Sequence, residues 1–180
     1  MAARPGNIER ASGRGRGKPP SAADDHRAKT ADEAARLARQ LSKEGHAPQL
    51  GDPASGVMLV VDAPAGPRVT DALRRSLDSV GLGEAYVVPS STGLLLEMLI
   101  VAEPSILVAI GPDASREMDS LEHPLARRPF ADAAEGELFT WTAGTIGLRL
   151  PPLAPALDDD AAKKRFWRAF LALRDLAGRS

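Results

Sequence analysis

Two uninterrupted aliphatic runs, Val57-Met58-Leu59-Val60-Val61 and Ile106-Leu107-Val108-Ala109-Ile110, constrain this chain more than any other feature. A strand with one wet face alternates apolar and polar side chains. A run that is apolar throughout must be covered on both faces, as parallel strands are when helices pack above and below them. Between the two runs lie a third strand-like segment, Ala85-Tyr86-Val87-Val88, and two helix-length stretches. The first stretch opens at Thr70-Asp71 and carries Leu73, Leu77 and Val80 at helical spacing. The second runs from Leu94 to Ala102 and is apolar nearly all round, which predicts a well-buried helix. Strand, helix, strand, helix, strand with right-handed crossovers predicts a three-layer α/β/α domain around a mainly parallel central sheet.

The flanks divide the rest of the chain. Residues 1–29 mix Gly, Pro, Ser and Ala with basic side chains and hold one large aliphatic residue, Ile8, so they read as a disordered basic arm. Residues 30–56 read as a helix capped by Thr30, with a thin stripe of Ala34, Leu37, Ala38 and Leu41 that would lie lightly on the domain. A Pro- and Gly-punctuated linker extends from His46 to Gly56. The α/β domain takes residues 57–180. Within it Asp113 to Ala134 is polar, Glu137 to Leu150 reads as β structure with a turn at Ala143-Gly144, and Asp158 to Leu176 reads as a closing helix burying Phe166, Phe170 and Leu173.

Composition excludes several functions. With 23 basic and 24 acidic residues the formal charge is −1, so any nucleic-acid contact has to be local. Two local sources exist: the Arg14-Gly15-Arg16-Gly17-Lys18 run, and a discontinuous set comprising Arg74, Arg75, Arg127, Arg128, Lys163, Lys164, Arg165 and Arg168. Each of these groups is also what an ordinary solvated helix face looks like. The absence of cysteine removes disulfides, thiolate nucleophiles and cysteine-held zinc or iron–sulfur clusters. Met1 to Lys18 lacks the apolar core of a secretory signal, and no stretch reaches the roughly 18 to 20 apolar residues of a membrane span. The expectation is a soluble, cytoplasmic protein without membrane contact.

Open α/β sheets work at the carboxyl ends of their strands, which directs attention to Asp62, Pro64 and Gly66 after the first strand, Pro89 and Ser90 after the second, and Gly111 after the third. Asp62 can serve as a general base, or it can accept amide hydrogens in a turn, the commoner use of Asp beside Pro and Gly. His26, His46 and His123 have no second ligand at metal spacing, so no metal is expected. Ser90, Ser91 and Thr92 lack a Gly-x-Ser-x-Gly elbow and read as capping residues. Neither a Walker sequence nor Gly-x-Gly-x-x-Gly is present, and no cofactor is expected.

Three segments together resemble the uracil-DNA glycosylase superfamily. Val60-Val61-Asp62-Ala63-Pro64 with Gly66 is similar to the family's Gly-Glu-Ala-Pro-Gly motif. Glu103-Pro104 leading through Ile106–Ile110 to Gly111-Pro112-Asp113-Ala114 resembles its third strand, and Leu153-Ala154-Pro155-Ala156-Leu157 with Lys163, Lys164 and Trp167 after it resembles its His-Pro-Ser loop. The resemblance implies a glycosylase-like fold and a site built from these loops. It also implies a loss of chemistry: Ala154 stands where the family has its histidine, Pro89 ends the second strand where an asparagine would read the base, and Gly66 to Thr70 is too short for the aromatic pocket loop. The psi subunit family of the DNA polymerase III clamp loader shows a similar non-catalytic form, which this chain resembles in its compact first crossover and in Trp141-Thr142-Ala143-Gly144-Thr145. The resemblance therefore implies a non-catalytic protein of DNA replication or repair that binds proteins or DNA, with Pro64, Gly66, Pro89, Ser90, Gly111, Ala154, Pro155, Lys163 and Lys164 as contact residues. The alternative is a divergent active glycosylase in which Asp62 positions water.

Overall fold

The computed structural model describes residues 21–177, and residues 1–20 of the predicted arm lie outside them. Residues 22–29 belong to a helix rather than to an arm, with Ser21 as its cap. Helix α1 (Ala22–Lys43) begins at a capping box in which the Asp24 amide donates to Ser21 Oγ and the Ser21 amide donates to Asp24 Oδ2. The Ser21 hydroxyl, which donates to Asp24 Oδ2 at 2.7 Å, and then the Ser21 amide hold the Asp24 carboxyl below its ordinary value, and the box satisfies amides that the first turn leaves free. Thr30 is therefore not a cap. It is buried with Ala34, Leu37 and Leu41 in one stripe against the helix α3 (Leu95–Ala102). Leu41 is fully inaccessible to solvent, so α1 is part of the core and does not lie lightly on it.

Strands β1 (Val57–Val61), β2 (Tyr86–Pro89), β3 (Ile106–Ile110), β4 (Leu138–Thr140) and β5 (Ile146–Leu150) form one sheet in the order β2-β1-β3-β5-β4. β2, β1, β3 and β5 are parallel, and β4 closes the far edge antiparallel to β5. The apolar runs are buried at every position, as two-sided coverage requires. Met58, Val60, Leu107 and Ala109 face a layer containing α1, α3 and the helix α4 (Pro112–Ser120). Leu59, Val61, Val108 and Ile110 face the helices α2 (Pro67–Ser79) and α5 (Asp160–Ala177), the latter through Phe166, Phe170 and Leu173. The three-layer α/β/α arrangement with a mainly parallel sheet is thus present.

Local differences from the sequence reading have simple causes. Helix α2 starts at Pro67, because proline's fixed φ and missing N–H suit a first helical position, and Thr70 lies one turn inside. Helix α3 is not buried all round: Leu96 and Ile100 are exposed on its outer side, Ile100 at 60%. The polar stretch after Gly111 contains α4, whose Ala114 and Met118 pack inward. The segment expected to be a linker pairs with the edge of the sheet. Leu50 and Val87 exchange two backbone hydrogen bonds of 3.0 and 2.8 Å, and the Asp52 amide donates to Glu84 O at 2.9 Å. Gly51 permits this approach, since a Cβ there would meet Ala85 O at 2.0 Å.

Candidate functional site

The chain leaves β1 toward β2 on one side while β3 lies on the other, so the topological crevice of this sheet is at the carboxyl ends of β1 and β3. Asp62 stands there and closes it. Its amide donates to Ile110 O at 3.1 Å, and its Oδ1 accepts from the Ala114 amide at 2.7 Å. A carboxylate from the first strand thereby caps the helix that comes after the third. Gly111 makes room: its φ is +97°, and a Cβ there would lie 2.2 Å from Asp62 Oδ2. Burial raises the Asp62 carboxyl above its ordinary value, while the amides of Ala114 and Asp113 and the charge of Arg116 pull it down by less. Asp62 does accept an amide hydrogen, but from a helix far along the chain and not from the turn that follows it.

Beyond Asp62 the peptide Ala63-Pro64 is cis, and the Ala63 amide donates to the buried Ser90 Oγ at 3.3 Å. Thr92 Oγ1 accepts from the Leu94 amide at 3.2 Å. Both side chains support backbone, but neither caps a helix: Thr92 closes a local turn, Leu94 at the cap position of α3 provides no side-chain cap, and Ser90 holds the β1 loop. The β1 loop and the end of β2 are tied together in this way, and next to them opens a cavity of about 500 Å3. Pro64 and Pro89 meet in its wall together with Val61, Val87 and Leu73. Its roof is the segment from Gly45 to Pro48 with Leu50, and Val69, Thr70 and Asp71 of α2 form another side. Sequence reasoning missed this roof. The one available signal was Leu50, the single large aliphatic residue in an otherwise small and polar stretch.

The other expected contact residues do not join the cavity. Gly66 is the exposed cap position of α2, and Ala154 and Pro155 are exposed in a short 3-10 turn at Pro155–Leu157. Lys163 and Lys164 are exposed near the start of α5. Several cations of the discontinuous basic set are engaged by neighbouring carboxylates. Arg128 holds Glu137 at 2.6 Å, Arg165 holds Glu135 at 2.6 Å, and Arg74 lies 3.6 Å from Asp71. The Arg128 guanidinium holds the Glu137 carboxyl below its usual range. Arg68, at the start of α2, pairs with Asp158 at 2.9 Å. The His123 ring lies tilted at 42° against Trp141, 4.9 Å between centroids, and its Nδ1 accepts from the Leu125 amide at 3.3 Å, a structural role.

Among the described residues, no cluster of three or more His, Asp or Glu side chains could hold a metal ion, and no helix is long and apolar enough to cross a membrane. No protein-family model matches the chain, and no curated protein matches it either.

Proposed function

We propose that this chain is a non-catalytic relative of the uracil-DNA glycosylase superfamily that serves DNA replication or repair by binding proteins or DNA. One observation carries the reading: the Asp62 carboxylate is spent on the α4 amides, packed against Gly111, instead of facing an open site. The cavity beside it lies between the Ala63-Pro64 turn and Pro89, where the resemblance implies a base pocket, yet its walls carry no amide side chain and no aromatic ring other than His46. Extruding a base costs stacking energy that a pocket recovers through ring stacking and edge hydrogen bonds. The lining offers one ring, His46, and no side-chain amide to pair with a base edge. The pairing of Arg74, Arg128 and Arg165 with acids favours a protein partner over a phosphate backbone.

A second reading, an active glycosylase with Asp62 as water-positioning base, draws on the raised Asp62 pKa. One substitution separates the two. Asp62→Asn keeps an acceptor for the Ala114 amide and removes the base. Purified wild-type protein incubated with uracil-containing single- and double-stranded oligonucleotides should leave no abasic sites. A deletion strain sensitised to DNA damage should be rescued equally by wild type and by Asp62→Asn. Uracil release that disappears in Asp62→Asn would overturn the proposal, as would a deletion strain with unaltered tolerance of replication stress and DNA damage.

A further inference from the structure

The cavity between the Gly45–Leu50 roof and the ends of β1 and β2 has a graded lining. Its deepest residues, Val61, Leu73 and Val88, are buried and aliphatic. Val69, Val87 and the Pro89 ring are half-buried in the wall, and Pro48, Pro64 and Leu50 are exposed at its mouth. Polar groups gather at the outside: Ser91 and Asp71 are exposed, and His46 and Thr70 are half-buried. A volume of about 500 Å3 falls within the range of ligand pockets, roughly 300 to 1,000 Å3, that are apolar within and carry a few polar groups. The one carboxylate of the lining, Asp71, is exposed and beside Arg74, so the interior offers no counter-charge to an ion.

We infer that this cavity binds a small uncharged amphiphile, its aliphatic or aromatic body against Val61, Leu73 and the prolines and its polar end among Thr70, Asp71, His46 and Ser91. The inference rests on the proposal that the cavity is not a base pocket. An apolar wall discriminates by area. Each methylene added to a ligand strengthens binding about fourfold until the cavity is full. The roof has the means to admit a ligand of this kind. It is joined to α1 at Gly45, whose φ is +81° with no atom within 4 Å of a would-be Cβ, and to the sheet by the two Leu50–Val87 hydrogen bonds.

The test uses the full chain and N-phenyl-1-naphthylamine, an uncharged fluorophore. Saturable enhancement with one site per chain is expected, and n-alkanols from hexanol to decanol should displace the probe with about fourfold gains per methylene. Val69→Trp fills the cavity and should weaken binding at least tenfold, whereas Leu96→Ser, on the exposed side of α3, should leave it unchanged. Circular dichroism establishes whether Val69→Trp is folded. If it is not, hydrogen exchange on wild type replaces it, with probe-induced protection expected in residues 45–50 and 68–71. Absent saturation, equal potency along the alkanol series, unchanged binding in folded Val69→Trp, or protection confined to other segments would each overturn the inference while leaving the non-catalytic reading intact. Displacement of the probe by uracil would overturn both.

Discussion

The carboxylate of Asp62 occupies the space that a side chain at Gly111 would need, and it does so in order to reach the first amides of α4. The two residues form one device: a glycine at positive φ that opens a slot, and an acid that fills it. In an open α/β sheet the slot between β1 and β3 is the usual place for a ligand. Here it is part of the framework, and the open volume has moved to the β1/β2 side.

Gly111→Ala should therefore destabilise the fold by about 2 to 3 kcal/mol, combining the strain of an L-residue at positive φ with the loss of a helix cap worth about 1 kcal/mol. Asp62→Ala alone should cost about 1 kcal/mol. The two losses share the cap, so the double variant should fall short of their sum by about 1 kcal/mol in urea denaturation. Simple additivity would show that the contact is not energetically shared.

The pH dependence of Asp62 has a defined sign. Its folded pKa is raised by burial, so the folded state holds the proton more tightly than the unfolded chain, and protonation favours folding. Its contribution to stability declines as pH rises from its ordinary value of 3.8 through the raised folded value, and it is level above that. Asp62→Asn lacks this decline. The stability of the Asn variant relative to wild type should rise between about pH 3.5 and pH 7, measured by urea midpoints at each pH. A variant that loses ground over the same range would mean that the α4 amides outweigh burial.

Phe139 lies across Gly147, its register partner on β5, with ring atoms 2.4 Å from where a Cβ would stand. The ring has no free direction, being met edge-on by Phe130 at 5.1 Å and covered by Arg128 at 5.4 Å. Gly147→Ala should lower stability by about 1 to 3 kcal/mol through overpacking, whereas Phe139→Leu in the same background should recover part of that loss. Thermal unfolding of the wild type and these two variants decides this. An unchanged Gly147→Ala midpoint would show that β4 can lift away.

How much of this is written in the sequence depends on whether the cause is local. β1 and β3 are legible because burial on both faces leaves an unbroken aliphatic run, and α5 because Phe166, Phe170 and Leu173 keep helical spacing. The start of α2 is not at Thr70, where a side-chain cap would put it, because Gly66 and Pro67 start the helix by backbone geometry alone. Helix α4 is hard to see because its inward face is only Ala114, Ser115 and Met118, two of them small. The role of Asp62 stays open in the sequence because its partner Ala114 is 52 residues away, a distance over which spacing carries no information. The cavity has no local signal beyond Leu50, since it forms only when the segment after α1 returns to pair with β2.

That return path makes α1 a test of the whole arrangement. Leu37 and Leu41 pack in the same cluster as Met58, Val60 and Val88 of the sheet, and Leu41 is completely buried. The helix has no other deep anchor than its stripe of Thr30, Ala34, Leu37 and Leu41, so its position depends on those side chains rather than on intrinsic helicity. Leu41→Ala leaves a cavity in a close-packed interior and should cost about 2 to 5 kcal/mol. Because the roof segment begins directly after α1, the same substitution should also raise hydrogen exchange at Leu50 and Val87, whose mutual bonds close the edge of the sheet. A control on the outer side of the same helix, Arg39→Ala, should change neither quantity by a measurable amount. If Leu41→Ala lowers stability but leaves exchange at Leu50 and Val87 at its wild-type rate, the roof is held by the β2 edge alone and α1 does not position it.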